Sequence, residues 1–233
     1  MKKSIFQAFL YGLLPSIFLF LLFAGNRAVT TMVESAPIRR QHILIIDPGH
    51  GGVDGGATSC TGKLESAFNL EISLRLRDLF HLLGHETRMI RTSDISVYTN
   101  GTSIAQKKIS DLKERVRIVN ETENAILLSI HQNNFTDSRY SGAQVFYGRE
   151  AGSEALAKEL QSAFVTSLNP GSRRQCKKSD GVYLMDHIQC PGILIECGFL
   201  SNPVEEAQLR SPAYQKKLCC VIAATVSTFL SNT

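Results

Sequence analysis

Six cysteines in 233 residues are too few for a disulfide scaffold, and no two show the CxxC spacing of a zinc ribbon or redox pair. Cys219 and Cys220 are neighbours and could bridge only with strain. Charge of one sign is scarce as well. The net charge of +4 belongs to residues 1–40, where Lys2, Lys3, Arg27, Arg39 and Arg40 outnumber Glu34. The remainder is neutral, so the basic footprint of a nucleic-acid partner is absent. No repeat period or low-complexity segment appears, which leaves out solenoids and disordered arrays. His81 and His85 have the spacing of a helical zinc pair, but no HExxH glutamate stands between them and Gly84 ends the helix first. With hydrophobic residues at 43% and charged residues at 20%, what is present is an ordinary globular composition.

One long apolar run is present. It extends from Ile5 to Ala24 behind Lys2 and Lys3, broken only by Gln7, Gly12, Pro15 and Ser16. That is about the length needed to cross a hydrocarbon core of about 30 Å, and the leading lysines keep that end in the cytoplasm. A cleaved signal has an apolar stretch of about 7 to 15 residues and an A-x-A-like exit; FAGNRA fits poorly. Residues 1–24 are therefore expected to be an uncleaved membrane anchor ahead of a cleaved signal, residues 25–41 a linker, and residues 42–233 one extracytoplasmic domain.

Within that domain, short aliphatic runs alternate with stretches of helical period, which predicts an α/β fold. The expected frame is a mostly parallel, roughly six-stranded sheet with helices on both faces. Strands are expected at 42–47, 86–90, 125–130, 143–147, 182–185 and 193–195, and helices at about 64–83, 102–121, 153–168 and 212–230. In the first helix Leu64, Phe68, Ile72, Leu76 and Leu79 or Phe80 form one stripe, and Gly84 should cap its end.

Three of these strands end in residues able to do chemistry. HILIID runs into Pro48-Gly49-His50, AILLSI into His131, and GILI into Glu196. Parallel strands with right-handed crossovers present their carboxyl ends at one edge, where open α/β sheets bind ligands. Glu65 opens the helix after the glycine-rich loop, and that helix N-terminus faces the same edge. Taken singly, His50 is a turn residue, His131 a hydrogen-bonded strand end and Glu196 a salt-bridge partner; their joint placement points to a site. Two imidazoles and a carboxylate (His50, His131, Glu65) form a catalytic zinc set with one position open, which lowers the pKa of a zinc-held water from 15.7 to about 7. Glu196 remains as general base, returning the proton to the departing amine. Asn69, one turn after Glu65, is placed to orient that carboxylate. The glycines at 49, 51, 52, 55 and 56 are expected to let backbone approach a bulky substrate. Cys197 should point to the opposite face of the strand from Glu196. Arg173, Arg174, Lys177 and Lys178 read as a solvated loop, with an anionic polymer as the alternative contact.

The strings IIDPGHGGVDGGA, LESAFNL with Glu65, TRMIRTSD, LLSIHQNNF, GAQVFYG and ILIECGFLSNP, in this order over residues 42–231, resemble the zinc-dependent N-acetylmuramoyl-L-alanine amidases. The resemblance implies Zn²⁺ on His50, Glu65 and His131, Glu196 as the catalytic glutamate, and peptidoglycan as the partner. The bond it implies joins the lactyl carbonyl of muramic acid to the L-alanine of the stem peptide. A single domain behind a membrane segment is similar to the germination-specific amidases of spore formers, which prepare spore cortex for muramic-δ-lactam formation. The division amidases carry an autoinhibitory helix after the strand matching GAQVFYG, whereas here Gly148 leads almost directly to a helix near Ser153; control then falls to a partner protein or to zinc supply. Gln132, Asn133 and Asn134 depart from the small residue that usually follows the second histidine, and are expected to reshape the peptide-facing side of the cleft. Pairing of Cys176 with Cys190 stays open. The competing functions are a zinc carboxypeptidase or sugar deacetylase on the same polymer, and a wall-binding anchor without turnover.

Overall fold

HILIID forms β1 (Ile43–Pro48), and Leu44, Ile45 and Ile46 are wholly buried because apolar layers cover both of its faces. The computed structural model describes residues 42–232, so the expected anchor or signal and the linker lie outside the described residues. Among the described residues no helix is long and apolar enough to cross a membrane.

The other strands are β2 (Glu86–Met89), β3 (Ala125–Asn133), β4 (Gln144–Tyr147), β5 (Lys177–Lys178) and β6 (Gly192–Phe199). They form one six-stranded sheet in the order β2-β1-β3-β6-β4-β5. β2, β1, β3 and β6 run parallel, while β4 is antiparallel to β6 and parallel to β5. Four of the five pairings are parallel, as expected, and the antiparallel pairing of β4 with β6 makes the sheet mixed. β4 is not a neighbour of β3: β6 lies between them, and it is against β6 that β4 runs antiparallel.

Among the described residues six helices cover the sheet: α1 (Glu65–Leu82), α2 (Ile104–Asn120), α3 (Ser153–Ser167), α4 (Tyr183–His187), α5 (Pro203–Arg210) and α6 (Pro212–Asn232). In α1 the stripe Phe68, Ile72, Leu76 and Phe80 is buried, but Leu64 sits at the N-cap and is exposed. Gly84 (φ 82°) closes α1 with the paired bonds of a Schellman motif, its N–H donating to His81 and that of His85 to Phe80. α2 begins with a capping box between Ser103 and Gln106. Residues 148–152 alone connect β4 to α3, so no inserted helix is present there.

The two faces are covered unequally, and that positions the cleft. On one face Leu44, Ile46, Ile130 and Ile195 meet Phe68 and Ile72 of α1, Leu160 of α3 and Ile222 and Val226 of α6. Each such buried side chain contributes about 1.5 to 3 kcal/mol. On the other face Ile45, Leu127 and Leu194 are packed by Val119 of α2 and Leu184 and Met185 of α4, a smaller layer that stops short of the carboxyl edge.

Two elements differ from the sequence reading. The segment 182–185 is not a strand: Val182 is the N-cap of α4 and residues 183–185 lie within it, where Gly181 (φ 77°) turns the chain and Leu184 and Met185 bury themselves against the sheet face in one helical turn. The sixth strand is instead the exposed two-residue β5, whose lysines suit a sheet edge. α5 was not expected, although Asn202 caps it by accepting from Val204 and Glu205 and Pro203 opens it.

Candidate active site

β1, β3 and β6 are neighbours, so their carboxyl ends share one edge, with Pro48 opposite Ile130 and His131 opposite Glu196. Alternation along each strand puts Asp47, Ser129, His131 and Glu196 on the thinly covered face, where they line a cavity of about 400 Å³ with His50, Lys108 and Tyr183. Cys197 points the other way, into the opposite core, as expected. All six cysteines are free thiols, Cys176 and Cys190 included.

Glu65 is the centre of the cluster. Its Oε1 lies 3.3 Å from Nε2 of His50 and 3.0 Å from Nδ1 of His131. It also accepts from the Gln132 N–H at 3.2 Å and from Asn69 Nδ2 at 3.3 Å, while Oε2 accepts from the Ala57 N–H at 3.0 Å. Asn69 thus occupies the orienting position read from its spacing, and it also donates to the Gly49 carbonyl at 3.1 Å. Burial would raise the Glu65 carboxyl, but the two imidazoles outweigh it and hold it far below the usual carboxylate range. For His50 burial opposes the charged ring, yet Glu65 and then Asp54 lift it to about 9. Nδ1 of His50 is 2.9 Å from Asp54 Oδ2, and Asp54 Oδ1 pairs with Lys108 at 2.7 Å.

The loop carrying His50 is held by two arginines that the sequence reading passed over. Arg115 of α2 donates to the carbonyls of Pro48 and His50, at 3.0 and 2.8 Å, while pairing with Asp47 and with Asp111. Arg91, almost wholly buried, donates to the carbonyls of Pro48, Gly49, Ser66 and Ser93 and to no carboxylate. These bonds hold His50 at φ 59°, a left-handed conformation costly for a residue with a Cβ.

Two of the glycines make room for the site's own side chains, and Gly51, Gly52 and Gly56 take positive φ. A Cβ on Gly49 would collide with the His131 ring, and one on Gly56 would lie 2.6 Å from Glu65 Oε2 and 2.8 Å from the His50 ring. Gly51 and Gly52 press against the chain at Ile95 and Ser96. Gln132 does not reach the cleft either: it is buried behind the cluster and donates to Asn69 Oδ1 at 3.2 Å.

Glu196 stands apart. Its Oε2 is fully enclosed without a hydrogen-bond partner, and burial, eased by His131, pushes the carboxyl up to about 7. The remaining histidines are engaged elsewhere: His81 with Thr87, His85 with Ser227, His42 with the Asn124 carbonyl and His187 with that of Tyr183. Among the basic loop residues Arg174 turns inward over the Phe199 ring.

One ligand atom from each of His50, Glu65 and His131 lies within 4.8 Å of the others, so the three could hold a metal ion. The donor set fits a divalent cation. It combines an anionic carboxylate with two imidazoles, and Asp54 orients one ring through its far nitrogen in the manner of a carboxylate–histidine–metal triad. An α/β sheet with such a cluster at its carboxyl edge, and an unpartnered carboxylate beside it, is the frame of a metal-assisted hydrolase.

Residues 44–228 match the Amidase_3 family, described as N-acetylmuramoyl-L-alanine amidase, and the chain belongs to that family. It is 39% identical over 225 residues to the germination-specific N-acetylmuramoyl-L-alanine amidase of Bacillus subtilis, covering 95% of this chain and 92% of the relative. With the B. subtilis amidase LytC it shares 28% over 204 residues, covering 85% of this chain and 38% of that longer protein. Among solved structures, the CwlD amidase of Clostridioides difficile in complex with the GerS lipoprotein superposes with a TM-score of 0.79 at 34% identity, covering 83% of this chain and all of that one.

Proposed function

We propose that this chain is a zinc-dependent, extracytoplasmic peptidoglycan hydrolase that cleaves the amide between N-acetylmuramic acid and the L-alanine of the stem peptide. The observation that carries the proposal is the convergence of His50, Glu65 and His131 beside the partnerless Glu196. The three would hold Zn²⁺, which when bound supplies Lewis acidity, polarising a carbonyl and acidifying water. Glu196 accepts a proton from the attacking water at its enclosed carboxylate and returns it to the nitrogen of L-alanine, so that the amine leaves neutral. A carboxyl lifted to about 7 suits both transfers near neutral pH. Asp54 and Asn69 fix the His50 ring and the Glu65 carboxylate, while Arg91 and Arg115 fix the loop between β1 and α1.

The similarity to the germination-specific enzyme supports a role in spore cortex, where removal of stem peptides precedes lactam formation. The GerS complex of the structural neighbour supports an activator protein as partner, and the apolar run 5–24 supports attachment to the membrane. Digesting purified peptidoglycan with the zinc-loaded full chain and identifying products by mass spectrometry tests the reaction. Stem peptides with a free L-alanine amine are expected. Release of terminal D-alanine or of acetate would make the enzyme a carboxypeptidase or deacetylase, and no product at all would leave a wall-binding anchor.

A further inference from the structure

Two half-exposed aromatic rings stand at the same sheet edge as the metal cluster. Phe135 and Tyr140, 50% and 49% exposed, meet edge to face with ring centroids 4.8 Å apart, on the loop that leaves β3 just beyond His131. Tyr140 rests in turn on buried Phe199, centroids 6.3 Å apart and planes 30° apart. The ladder between β3 and β6 carries one extra residue here: His131 pairs with Glu196, but Asn133 pairs with Phe199. Residues 131 and 133 share a face, so their partners do too, and the irregularity re-aims Phe199 onto the face that carries Glu196. Glu196 and Phe199 face His131 and Asn133, two residues apart on β3, so Phe199 under the aromatic pair lies about 7 Å beyond Glu196 along the sheet at about 3.3 Å per residue.

The loop under these rings is firmly held, so their exposure is not a product of slack chain. The Phe135 N–H donates to Ser201 Oγ at 3.2 Å, Asn202 Nδ2 to the Tyr140 carbonyl at 3.2 Å, and the Gly142 N–H to Glu205 Oε1 at 2.7 Å. Beyond Tyr140 runs an open groove of about 530 Å³ with Gln144, Arg173 and Lys177 on its walls, a lining of amides and cations. Apolar rings beside hydrogen-bond donors match a pyranose, which has one C–H-rich face and a rim of hydroxyls and amides.

We propose that Phe135 and Tyr140 form a saccharide platform, which holds the glycan strand of the substrate one or two sugars away from the muramic acid being attacked. This rests on the peptidoglycan reading above. The substrate is a linear polymer that must extend past the cluster, and the platform begins where β3 and β6 end.

Tyr140→Ala and Phe135→Ala, made in the zinc-loaded full chain, should each raise KM for polymeric peptidoglycan about tenfold with kcat kept, the loss of one stacking contact. A single-sugar muramoyl peptide, too short to reach the rings, should be cleaved as by the parent. Tyr140→Phe should retain polymer binding. Independently of turnover, peptide-free glycan strands should bind the Glu196→Gln chain in calorimetry and bind about tenfold more weakly when Tyr140→Ala is added. An unchanged KM on polymer, an equal loss on both substrates, or glycan strands that do not bind would overturn the platform. So would a Tyr140→Ala chain that loses a protein partner while keeping its glycan affinity. If the parent cleaves neither substrate yet Tyr140→Ala weakens glycan binding, amide cleavage is wrong and the platform stands.

Discussion

Metal uptake by this site should expel a proton, and the pH dependence follows from His50. Without a metal, Glu65 and Asp54 lift that ring to about 9 against the pull of burial, so at neutral pH Nε2 carries the proton a metal must displace. Below about 9 each pH unit then costs a factor of ten in affinity. At pH 7 the penalty is about hundredfold, or roughly 3 kcal/mol at 1.36 kcal/mol per unit. Zinc titrated into the metal-free full chain, against a competing chelator and in buffers of different ionisation enthalpy, should give log K rising with a slope near one from pH 7 to about 9 and flattening above. About one proton should leave per ion at pH 7. The same proton stabilises the metal-free fold: a raised folded-state value means stability present in full below 6.5 and lost as pH rises through about 9, so Tm of the metal-free chain should fall across that window. Asp54→Asn removes one of the two carboxylates that lift the ring, and should move both transitions to lower pH. A log K independent of pH between 7 and 8.5, with no buffer-dependent heat, would refute the reasoning.

The remaining expectations concern single side chains. Glu196→Gln should abolish wall digestion while the chain still binds zinc, and His131→Ala should lose the ion. Because burial raises Glu196 to about 7, its contribution favours the fold below its unfolded value of 4.5 and fades as pH rises through 7; Glu196→Gln should flatten that part of a stability profile measured by urea unfolding. Gly49→Ala drives a methyl into the His131 ring, so zinc affinity should fall by at least about tenfold while circular dichroism keeps its native shape. Arg115→Ala leaves Asp47 buried without its guanidinium partner and should cost about 3 to 5 kcal/mol in urea unfolding.

How much of this was legible in the sequence depended on whether a residue's task was local. β1, β3 and β6 announced themselves because strands buried on both faces read as unbroken aliphatic runs, and a polar residue at the end of each marked the edge. α4 was misread because Val182, Tyr183 and Leu184 favour a strand in isolation, while Gly181 and the sheet face above them select a helical turn. β5 carries no apolar signal at all. Its two lysines join the sheet only through the backbone of Phe146 and Tyr147. The direction of β4 shows only in its antiparallel pairing with β6, a strand far along the chain, and that long-range pairing is absent from the periodicity of GAQVFYG. Arg91 and Arg115 were invisible for a different reason: their partners are carbonyls up to 67 residues away, and a carbonyl looks the same at every position.

Of the carboxylates at the cleft, Asp47, Glu65 and Glu196 meet three separate fates, and their neighbours decide which is which. Asp47 is the most deeply buried, yet Arg115 and Ser129 each bond one of its oxygens and keep it charged, so it holds α2 to the sheet. Glu65 is also kept charged, but by imidazoles, which can give up their protons and turn toward a metal, whereas a guanidinium cannot. Glu196 receives no donor on its enclosed oxygen and drifts up toward neutrality. Carboxyl groups whose surroundings drive their proton affinities apart are the means by which one fold separates ligand from base. By this criterion Glu65 is the ligand and Glu196 the base, a division that spacing alone could not make, since all three acids lie in the carboxyl-terminal half of a strand or at a helix start.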